Sequence, residues 1–379
     1  MSLGVVVLAA AAVAAPSVAS AATWSTQTAA NPGTAISSSL TGVACPALRN
    51  CQAVGRWDNG SGTLAQAQAW GGTSWALGSI ANPTSATVTD LQGISCTATN
   101  ECTAVGNYED GGVPKTLVER WTSAWAWQPS PNPSGSQGSF LAGVSCSSSS
   151  LCTAVGSYID SGGVQRTLAL RWASGSWTVQ TTPASPAGAT SAQLSGVSCP
   201  SSTACIAVGS FTDSGGQKTY ALAWDGTNWT RMTTIDPATS VNAGLTGVSC
   251  TSSTACTAVG SWSNGTTYAP LIERMTTTTW ATQTPAIPGG ATGALLLGVS
   301  CTSSTHCSAV GYSYSGSGLA SLAELGTSGS WRVEATPSPA GATGAILSGI
   351  NCRSSTECTA VGQWFDVNSV VTTLALRYI

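Results

Sequence analysis

The stretch GVSCTSSTACTAVGSW, from Gly247 to Trp262, contains two cysteines with five residues between them. Similar stretches begin at Gly196 (GVSCPSSTACIAVGSF) and at Gly298 (GVSCTSSTHCSAVGYS). All 14 cysteines fall into pairs of this spacing: Cys45/Cys51, Cys96/Cys102, Cys146/Cys152, Cys199/Cys205, Cys250/Cys256, Cys301/Cys307 and Cys352/Cys358. The pairs recur about every 50 residues, a period typical of propellers and related arrays.

The cysteine spacing favours disulfides over zinc. Structural zinc sites usually have two to four residues between paired ligands and further Cys or His nearby. The chain has one histidine, His306. We therefore expect one local disulfide in each repeat, clamping a tight turn on one face of the fold. Each should stabilise the fold by about 2 kcal/mol in the chain-entropy picture.

Each repeat contains four strand-like runs separated by turn residues. In the third repeat these are FLAGVSC (Phe140–Cys146), CTAVGSY (Cys152–Tyr158), TLALRW (Thr167–Trp172) and WTVQTTP (Trp177–Pro183). The first run has the form L-x-G-V-S-C, and a glycine inside a strand indicates close backbone approach. No helical periodicity is present, so the sequence predicts an all-β fold.

The two ends of the chain complement each other. The last repeat stops after its third run, Thr373–Ile379, whereas the segment Thr23–Pro32 resembles a fourth run. Sharing one blade between both ends closes a ring and removes an open sheet edge. We therefore predict a seven-bladed β-propeller with four-stranded blades, an N-terminal strand closing the last blade, and one intrablade disulfide per blade.

The first residues predict export. An apolar run from Leu3 to Ala15 precedes the small-residue site Ala19-Ser20-Ala21, although no Lys or Arg precedes the run. Pro16 interrupts the run, which is short for a membrane span. We expect residues 1–21 to be a signal peptide, residues 22–379 to form a single secreted propeller domain, and no membrane span to remain after cleavage.

The composition restricts the expected partners. Charged residues make up 7% of the chain, the net charge is −3, and the pI is about 5.1. Without a basic surface, nucleic acid and anionic membranes are not expected as partners. A glycan or a surface protein remains as a partner, and we expect a monomer.

Two positions recur in the loops between the second and third runs. The first position holds Trp57, Tyr108, Tyr158, Phe211, Trp262, Ser313 and Trp364, and the second holds Asn59, Asp110, Asp160, Asp213, Asn264, Ser315 and Asp366. Aromatic rings stack on sugars, and amide or carboxylate oxygens bind sugar hydroxyls, so the six aromatic and six Asn/Asp residues are candidate ligand-binding residues. Alternatively, the aromatics wedge between blades and the Asn/Asp residues cap their own turns.

Other tryptophans and arginines suit packing better than binding. Trp70, Trp121, Trp172 and Trp224 end third runs, and Trp24, Trp75, Trp125, Trp177, Trp229, Trp280 and Trp331 begin fourth runs. We expect these rings to pack within hairpins and between blades. Arginines at the ends of third runs are expected to be exposed or paired: Arg120, Arg171, Arg274 and Arg377.

Catalysis and metal binding receive little support. His306 lies inside a cysteine turn without a repeated partner, so no catalytic residue is proposed. Propeller glycosidases require paired carboxylates, but the inner runs lack acids, with Asp90 alone beside the expected channel. Acids share one face but belong to different blades, so neither calcium nor another metal or cofactor is expected: Asp58, Glu109, Asp110, Asp160, Asp213 and Asp366.

The phrases GVSCxSxxxCxAVGS, TLALRW and W(x)5TP resemble the cysteine-bearing propeller repeats of secreted actinobacterial proteins. This resemblance implies the fold and export but no activity. The Asp-box turn of sialidase-type propellers is only partly matched at Ser157–Gly163, which lacks the expected Trp. The leading hypothesis is an extracellular non-catalytic module that binds carbohydrate or cell-wall glycan. The alternatives are a protein-interaction scaffold and a propeller-type glycoside hydrolase or lyase.

Overall fold

A computed structural model of the protein describes residues 22–379, so the predicted signal peptide at 1–21 lies outside the described residues. The strands form seven antiparallel four-stranded sheets, the blades of a propeller. This confirms the predicted all-β seven-bladed propeller.

The strands group into blades as follows. Blade 7 contains β1 (Trp24–Gln27), β26 (Gly344–Ser354), β27 (Glu357–Phe365) and β28 (Val371–Tyr378). Blade 1 contains β2 (Ser37–Ala47), β3 (Asn50–Asp58), β4 (Thr63–Trp70) and β5 (Trp75–Gly78). Blade 2 contains β6 (Ala86–Ala98), β7 (Glu101–Asp110), β8 (Val113–Trp121) and β9 (Trp125–Trp127). Blade 3 contains β10 (Gly138–Ser148), β11 (Leu151–Ile159), β12 (Gln165–Ala173) and β13 (Ser176–Gln180). Blade 4 contains β14 (Ser191–Ser201), β15 (Ala204–Asp213), β16 (Gly216–Trp224) and β17 (Trp229–Met232). Blade 5 contains β18 (Asn242–Ser252), β19 (Ala255–Ser263), β20 (Tyr268–Thr276) and β21 (Thr279–Gln283). Blade 6 contains β22 (Gly293–Ser303), β23 (His306–Ser315), β24 (Gly318–Thr327) and β25 (Ser330–Glu334).

The loops leave the blades at two faces. We call the face that carries the cysteine turns and the hairpins between third and fourth strands the cysteine face. The opposite face carries the loops between second and third strands and the connections between blades, and we call it the loop face. The predicted candidate residues lie at or near the loop face.

The inner strands pack closely because each L-x-G glycine faces the backbone of the next blade. A Cβ on Gly93 would lie 3.0 Å from the Ala142 carbonyl oxygen of blade 3. A Cβ on Gly349 would lie 2.8 Å from the Thr41 oxygen of blade 1, so the ring closes in the same way. The predicted close backbone approach is confirmed.

The cysteines form seven disulfides, each within one blade and joining residues six positions apart: Cys45–Cys51, Cys96–Cys102, Cys146–Cys152, Cys199–Cys205, Cys250–Cys256, Cys301–Cys307 and Cys352–Cys358. Each bridge spans the turn between the first and second strands of its blade. No free cysteine occurs among residues 22–379. The prediction of one intrablade disulfide per blade is confirmed.

The two cysteines of each pair lie at the ends of neighbouring strands, and the second one is part of the core. The second cysteine of every pair is a buried core residue, at most 7% exposed: Cys51, Cys102, Cys152, Cys205, Cys256, Cys307 and Cys358. The reason is its position near the start of the second strand, which is paired on both sides. Its partner across the sheet is the residue that ends the third strand, such as Trp70 or Trp224. These cysteines belong to the core and offer no surface to a ligand.

The two ends of the described chain meet in blade 7. Strand β1 pairs antiparallel with β28, placing Trp24 opposite Tyr378 with ring centroids 5.3 Å apart. Backbone hydrogen bonds join Thr23 and Ile379 in both directions, with N–O distances of 3.0 and 3.3 Å. The predicted closure by an N-terminal strand is confirmed.

The core lies between neighbouring sheets. At the seam between blades 1 and 2, Val54 and Ala67 pack with Leu91, Ala104 and Leu117, and all five are fully buried. Small side chains on one sheet allow the larger leucines of the next to interdigitate. Residues 22–379 contain no helix long and apolar enough to cross a membrane.

A ring of hydrogen bonds links the blades around the central channel at the cysteine face. Ser95 Oγ of blade 2 accepts from the Cys146 amide of blade 3, with an N–O distance of 3.0 Å. Equivalent bonds occur at six of the seven seams, ending with Asn351 Oδ1 accepting from the Cys45 amide. Blade 1 has Ala44 at this position, whose side chain has no acceptor, so the seam between blades 1 and 2 lacks this hydrogen bond.

Arginines at the ends of third strands connect blades near the outer edge. The Arg171 guanidinium lies 5.3 Å from the ring centroid of Trp224 in the next blade, and Nη2 donates to the Ser202 carbonyl at 2.6 Å. Arg120 stacks in the same way over Trp172, and Arg377 over Trp70. The predicted tryptophan packing is confirmed, and these arginines are interblade contacts.

Candidate functional site

The recurring aromatic residues of the loops lie in the seams between blades. Five are partly buried against hydrophobic clusters that two neighbouring blades share: Tyr108, Tyr158, Phe211, Trp262 and Trp364. Trp57 is also partly buried. Packing between blades therefore accounts for most of the ring surface at this position.

The recurring Asn/Asp residues mostly cap their own loops. Asp160 Oδ1 accepts from the amides of Gly162 and Val164 at 2.9 and 3.0 Å. The oxygens of four others also accept amides of their own loops: Asn59, Asp213, Asn264 and Asp366. The Asp110 carboxylate accepts from Lys115 instead. These contacts are those of the turn-capping interpretation, and ligand binding at every blade stays a prediction.

One cleft at the loop face of blade 4 differs from this pattern. It has a volume of about 470 Å³ and lies between the connection that enters blade 4 and the connection that leaves it. It contains Phe211 and Asp213 from the predicted positions. Its other charged or aromatic lining residues are Lys218, Tyr220, Arg231 and Asp236. We call this the blade 4 cleft.

Tyr220 forms part of the buried wall of the cleft. Its side chain is 2% exposed, and its hydroxyl has no hydrogen-bond partner within the described chain. Burial raises the pKa of the phenol, and the nearby Arg231 guanidinium partly opposes that shift. The Phe211 ring meets Tyr220 edge-on with centroids 5.8 Å apart. A buried hydroxyl without a partner is costly, so a ligand that bonds to it would gain affinity.

The two carboxylates of the cleft are held by local donors. Asp213 Oδ1 accepts from the Gly215 amide at 2.7 Å. Asp236 Oδ1 accepts from the Thr219 amide at 2.9 Å and from its hydroxyl at 2.8 Å. Each carboxylate retains further acceptor positions that can bind a hydroxyl.

Sequence reasoning missed four residues of this cleft. Lys218, Tyr220 and Arg231 lie in strands β16 and β17, and Asp236 lies in the connection to blade 5. The available signal was a difference between repeats. Tyr220 replaces a leucine found in other blades, as in TLALRW. Arg231 occupies a position of the fourth strand at which the other repeats have uncharged residues.

Asp90 requires a correction to the sequence analysis. The inner strand β6 spans Ala86–Ala98, so it contains Asp90, whereas no acid was expected in an inner strand. The strand extends further toward the loop face than the L-x-G-V-S-C run indicated. Asp90 Oδ2 lies 3.0 Å from Arg56 Nη1. Burial raises the pKa of the Asp90 carboxyl, and the Arg56 guanidinium partly opposes that shift.

Three other acids are buried in third strands. Glu119, Glu273 and Glu324 are at most 1% exposed, and burial raises the pKa of each, to about 8, about 8 and about 7. They lie in blades 2, 5 and 6 and are enclosed between strands and incoming connections. Because solvent does not reach them, they do not form a catalytic acid–base pair.

The structure gathers no metal site in the described part of the chain. Among residues 22–379, no group of three or more His, Cys, Asp or Glu side chains could hold a metal ion. His306 begins β23 beside a cysteine turn, away from the blade 4 cleft. The six acids considered for calcium are spread over five blades, and only the neighbours Glu109 and Asp110 share one.

Comparisons with known proteins support the fold alone. The sequence matches no family model, and no curated protein matches it significantly. A structure of a protein of unknown function from Dyadobacter fermentans has a TM-score of 0.53 at 9% identity, covering 93% of this chain and 97% of that chain. The GH74 xyloglucanase from Xanthomonas campestris has a TM-score of 0.55 at 11% identity, covering 93% of this chain and 55% of the xyloglucanase.

A Hadza microbial sialidase has a TM-score of 0.46 at 10% identity, covering 83% of this chain and 73% of the sialidase. The chain spans about half the length of the xyloglucanase. At these identities the shared feature is the fold alone.

Proposed function

We propose that the protein is an extracellular, non-catalytic module that binds carbohydrate through the blade 4 cleft. The observation that carries this proposal is a cleft of about 470 Å³ that combines an aromatic ring with donor and acceptor side chains. Carbohydrate sites have this composition because sugars present both apolar ring faces and hydroxyl groups.

The cleft residues divide the tasks of recognition. Phe211 contributes apolar ring surface for contact with a sugar face, while Asp213 and Asp236 accept hydrogen bonds from hydroxyls. Lys218 and Arg231 donate, and the Tyr220 hydroxyl can do either. Binding would therefore depend on one blade rather than on all seven.

Binding fits the cleft better than hydrolysis does. Glycosidases need one carboxyl that donates a proton and a second that acts as base or nucleophile. Both carboxylates of the cleft already accept hydrogen bonds through Oδ1 from local amides or a hydroxyl, which orients them as acceptors. This arrangement suits hydrogen bonds to sugar hydroxyls better than the separate acid and base roles that glycoside hydrolysis needs.

Export is part of the proposal. Disulfides form and persist in oxidising compartments, this chain has seven, and residues 1–21 have the pattern of a signal peptide. We further propose that the chain belongs with the secreted actinobacterial propeller proteins that its repeats resemble. A cell-wall glycan would be available to such a protein.

The alternative of a protein-interaction scaffold receives less support from the described residues. Exposed large apolar side chains of the described residues are spread over different blades and both faces, as at Ile36, Leu48, Val179 and Val333. A docking surface would require a contiguous patch of several hundred Å². Scattered exposed aliphatics are ordinary on a globular domain.

A glycan array with bacterial wall preparations tests the proposal. We expect binding to at least one carbohydrate and its loss in Phe211→Ala, with unchanged binding in Trp262→Ala, the equivalent aromatic of blade 5. Thermal unfolding of both variants controls for folding. Absence of binding to every sugar and wall preparation, or equal loss in both variants, would contradict the proposal.

A further inference from the structure

We propose that the blade 4 cleft recognises a carboxylated sugar, with Lys218 and Arg231 binding the sugar carboxylate. This inference rests on the proposed carbohydrate binding and names the class of ligand. It comes from comparing the cleft with the same positions of other blades, where the corresponding charges are neutralised or absent.

Lys218 is the first difference. In blades 2 and 3 the cation at this register is neutralised by its own loop, because Lys115 pairs with Asp110 and Arg166 pairs with Asp160. Lys218 lies opposite Phe211 in the same register, yet within residues 22–379 it forms no ion pair. Its ammonium group is therefore available to an anionic ligand.

Arg231 is the second difference. The equivalent residues of the other outer strands carry no charge: Thr26, Leu77, Trp127, Val179, Thr282 and Val333. Arg231 is exposed, lines the cleft, and forms no ion pair within the described residues. A guanidinium binds a carboxylate through two parallel hydrogen bonds, which gives this position both charge and direction.

Tyr220 supplies an independent indication of a ligand. In the other blades the residue at its register is leucine, or Gln66 in blade 1, so a phenol at this site is specific to blade 4. Its hydroxyl is buried without a partner in the described chain, while its side chain lines the cleft. The covered hydroxyl lies in the wall of the cleft, and a bound carboxylate or hydroxyl would satisfy it when that wall opens.

The acids of the cleft do not cancel this preference. Asp213 and Asp236 are oriented by the donors of Gly215 and Thr219, whereas the cations form no ion pair in the described chain. The carboxylates can then accept from sugar hydroxyls at a distance from the sugar carboxylate. This arrangement favours a sugar that carries both hydroxyls and one acidic group over a simple anion.

The test compares hexuronic acid oligosaccharides with their carboxyl-reduced counterparts, which keep the sugar and lose only the charge. Binding is measured by calorimetry with the mature chain at neutral pH. We expect at least one acidic oligosaccharide to bind about tenfold or more tightly than its reduced counterpart, as for a charge-assisted hydrogen bond. We also expect that preference to weaken as salt is raised, because charge pairs at an exposed cleft are screened.

Variants locate the effect. Lys218→Gln and Arg231→Gln should each lower affinity for the acidic oligosaccharide several-fold without changing affinity for the reduced one. Tyr220→Phe should weaken binding while keeping the fold, and Lys115→Gln serves as a matched control that leaves binding unchanged. Phe211→Ala should weaken both ligands.

The outcomes separate the two proposals. Equal affinity for acidic and reduced oligosaccharides would overturn carboxylate recognition and keep carbohydrate binding. If both Lys218→Gln and Arg231→Gln still prefer the acidic oligosaccharide, the carboxylate is recognised elsewhere, and the assignment to this cleft is overturned. No binding to any oligosaccharide or wall preparation would overturn both.

Discussion

At one position of the third strand, blades differ in whether the buried side chain ends in an amide or a carboxyl group. Blade 1 has Gln68 there, whose amide donates to the Ala30 carbonyl at 2.7 Å and accepts from the Ala30 amide at 3.1 Å. Blade 6 has Glu324, which accepts from the equivalent Ala286 amide at 2.9 Å. A protonated carboxyl can imitate the amide, and a charged one cannot donate. The buried glutamates therefore favour the protonated form in the folded state.

This position predicts a pH dependence of stability. Burial raises the pKa of Glu119, Glu273 and Glu324 to about 8, about 8 and about 7 in the folded chain, above the ordinary value of 4.5. Their contribution to the free energy of unfolding is fully present below pH about 4.5 and is lost as the pH rises through the folded pKa. The loss is about 1.4 kcal/mol per pH unit for each group.

The measurement is urea unfolding of the disulfide-intact protein between pH 5 and 8. We expect the free energy of unfolding to fall with pH, and to fall much less in the triple variant Glu119→Gln/Glu273→Gln/Glu324→Gln. Glu109→Gln, at the loop face, is the control and should leave the slope unchanged. Parallel curves for wild type and triple variant would contradict the buried-proton explanation.

A second residue-scale prediction concerns the glycine of the A-V-G sequence. A Cβ on Gly209 would lie 2.1 Å from the Gln193 carbonyl oxygen of the neighbouring strand, a backbone atom that cannot move independently. We expect Gly209→Ala to destabilise the protein by about 3 kcal/mol or more. Gly71→Ala is the matched control, since a Cβ there meets nothing within 4 Å. Urea unfolding compares them, and similar stabilities would refute the steric argument.

At the scale of the element, the seams between blades are not equivalent. Arg171 donates to Thr153 within blade 3, and its contacts with Ser202 and Trp224 cross from blade 3 to blade 4. At the next seam the corresponding residues are apolar: Ile206, Ala223 and Met275. A second cleft of about 340 Å³ lies beside Ile206 and Ala223, where the long arginine is missing. Blade 4 thus has weaker polar attachment on one side.

The arginine contact can be measured directly. Arg171→Ala removes a stacked guanidinium and two hydrogen bonds, so we expect a loss of about 1–3 kcal/mol in the free energy of unfolding. Arg274 occupies the same strand position, but the next blade has Gly326 where a tryptophan would stand. Arg274→Ala should therefore cost clearly less. Equal losses would show that the stacking partner is unimportant.

The strands and bridges were predictable because they repeat, whereas the cleft was not. Cysteine spacing and alternating apolar runs recur in every blade, so each blade confirms the others, and even the shared blade followed from the partial runs at the two ends. The blade 4 cleft depends on departures from the repeat, such as Tyr220 and Arg231. It also depends on the connection containing Asp236 coming close to β16, and that proximity is a tertiary fact that spacing along the chain does not contain.

At the scale of the whole molecule, the closing strand is the only noncovalent link that joins the two ends of the described chain within one sheet. Four residues of β1 pair with β28, and Trp24 is 8% exposed against Tyr378. Every other blade is formed from consecutive strands. The sheet of blade 7 is therefore completed by a short strand whose pairing partner lies about 350 residues away in sequence.

Two rearranged chains test this dependence, and in both the chain starts at Thr28, so that Ala22–Gln27 no longer precedes it. In the first, the strand is simply absent, which exposes the edge of β28 and uncovers Tyr378, and we expect a lower melting temperature and a tendency to associate through the open edge. In the second, Ala22–Gln27 follows Ile379 through a short turn, which is feasible because Thr23 and Ile379 are already hydrogen-bonded. Since the strand then forms a local hairpin in the same register, this chain should regain the melting temperature of the original and remain monomeric by light scattering. If the relocated strand fails to restore stability, then pairing with β28 is not what holds blade 7 together, and the covalent path from β1 into blade 1 must contribute instead.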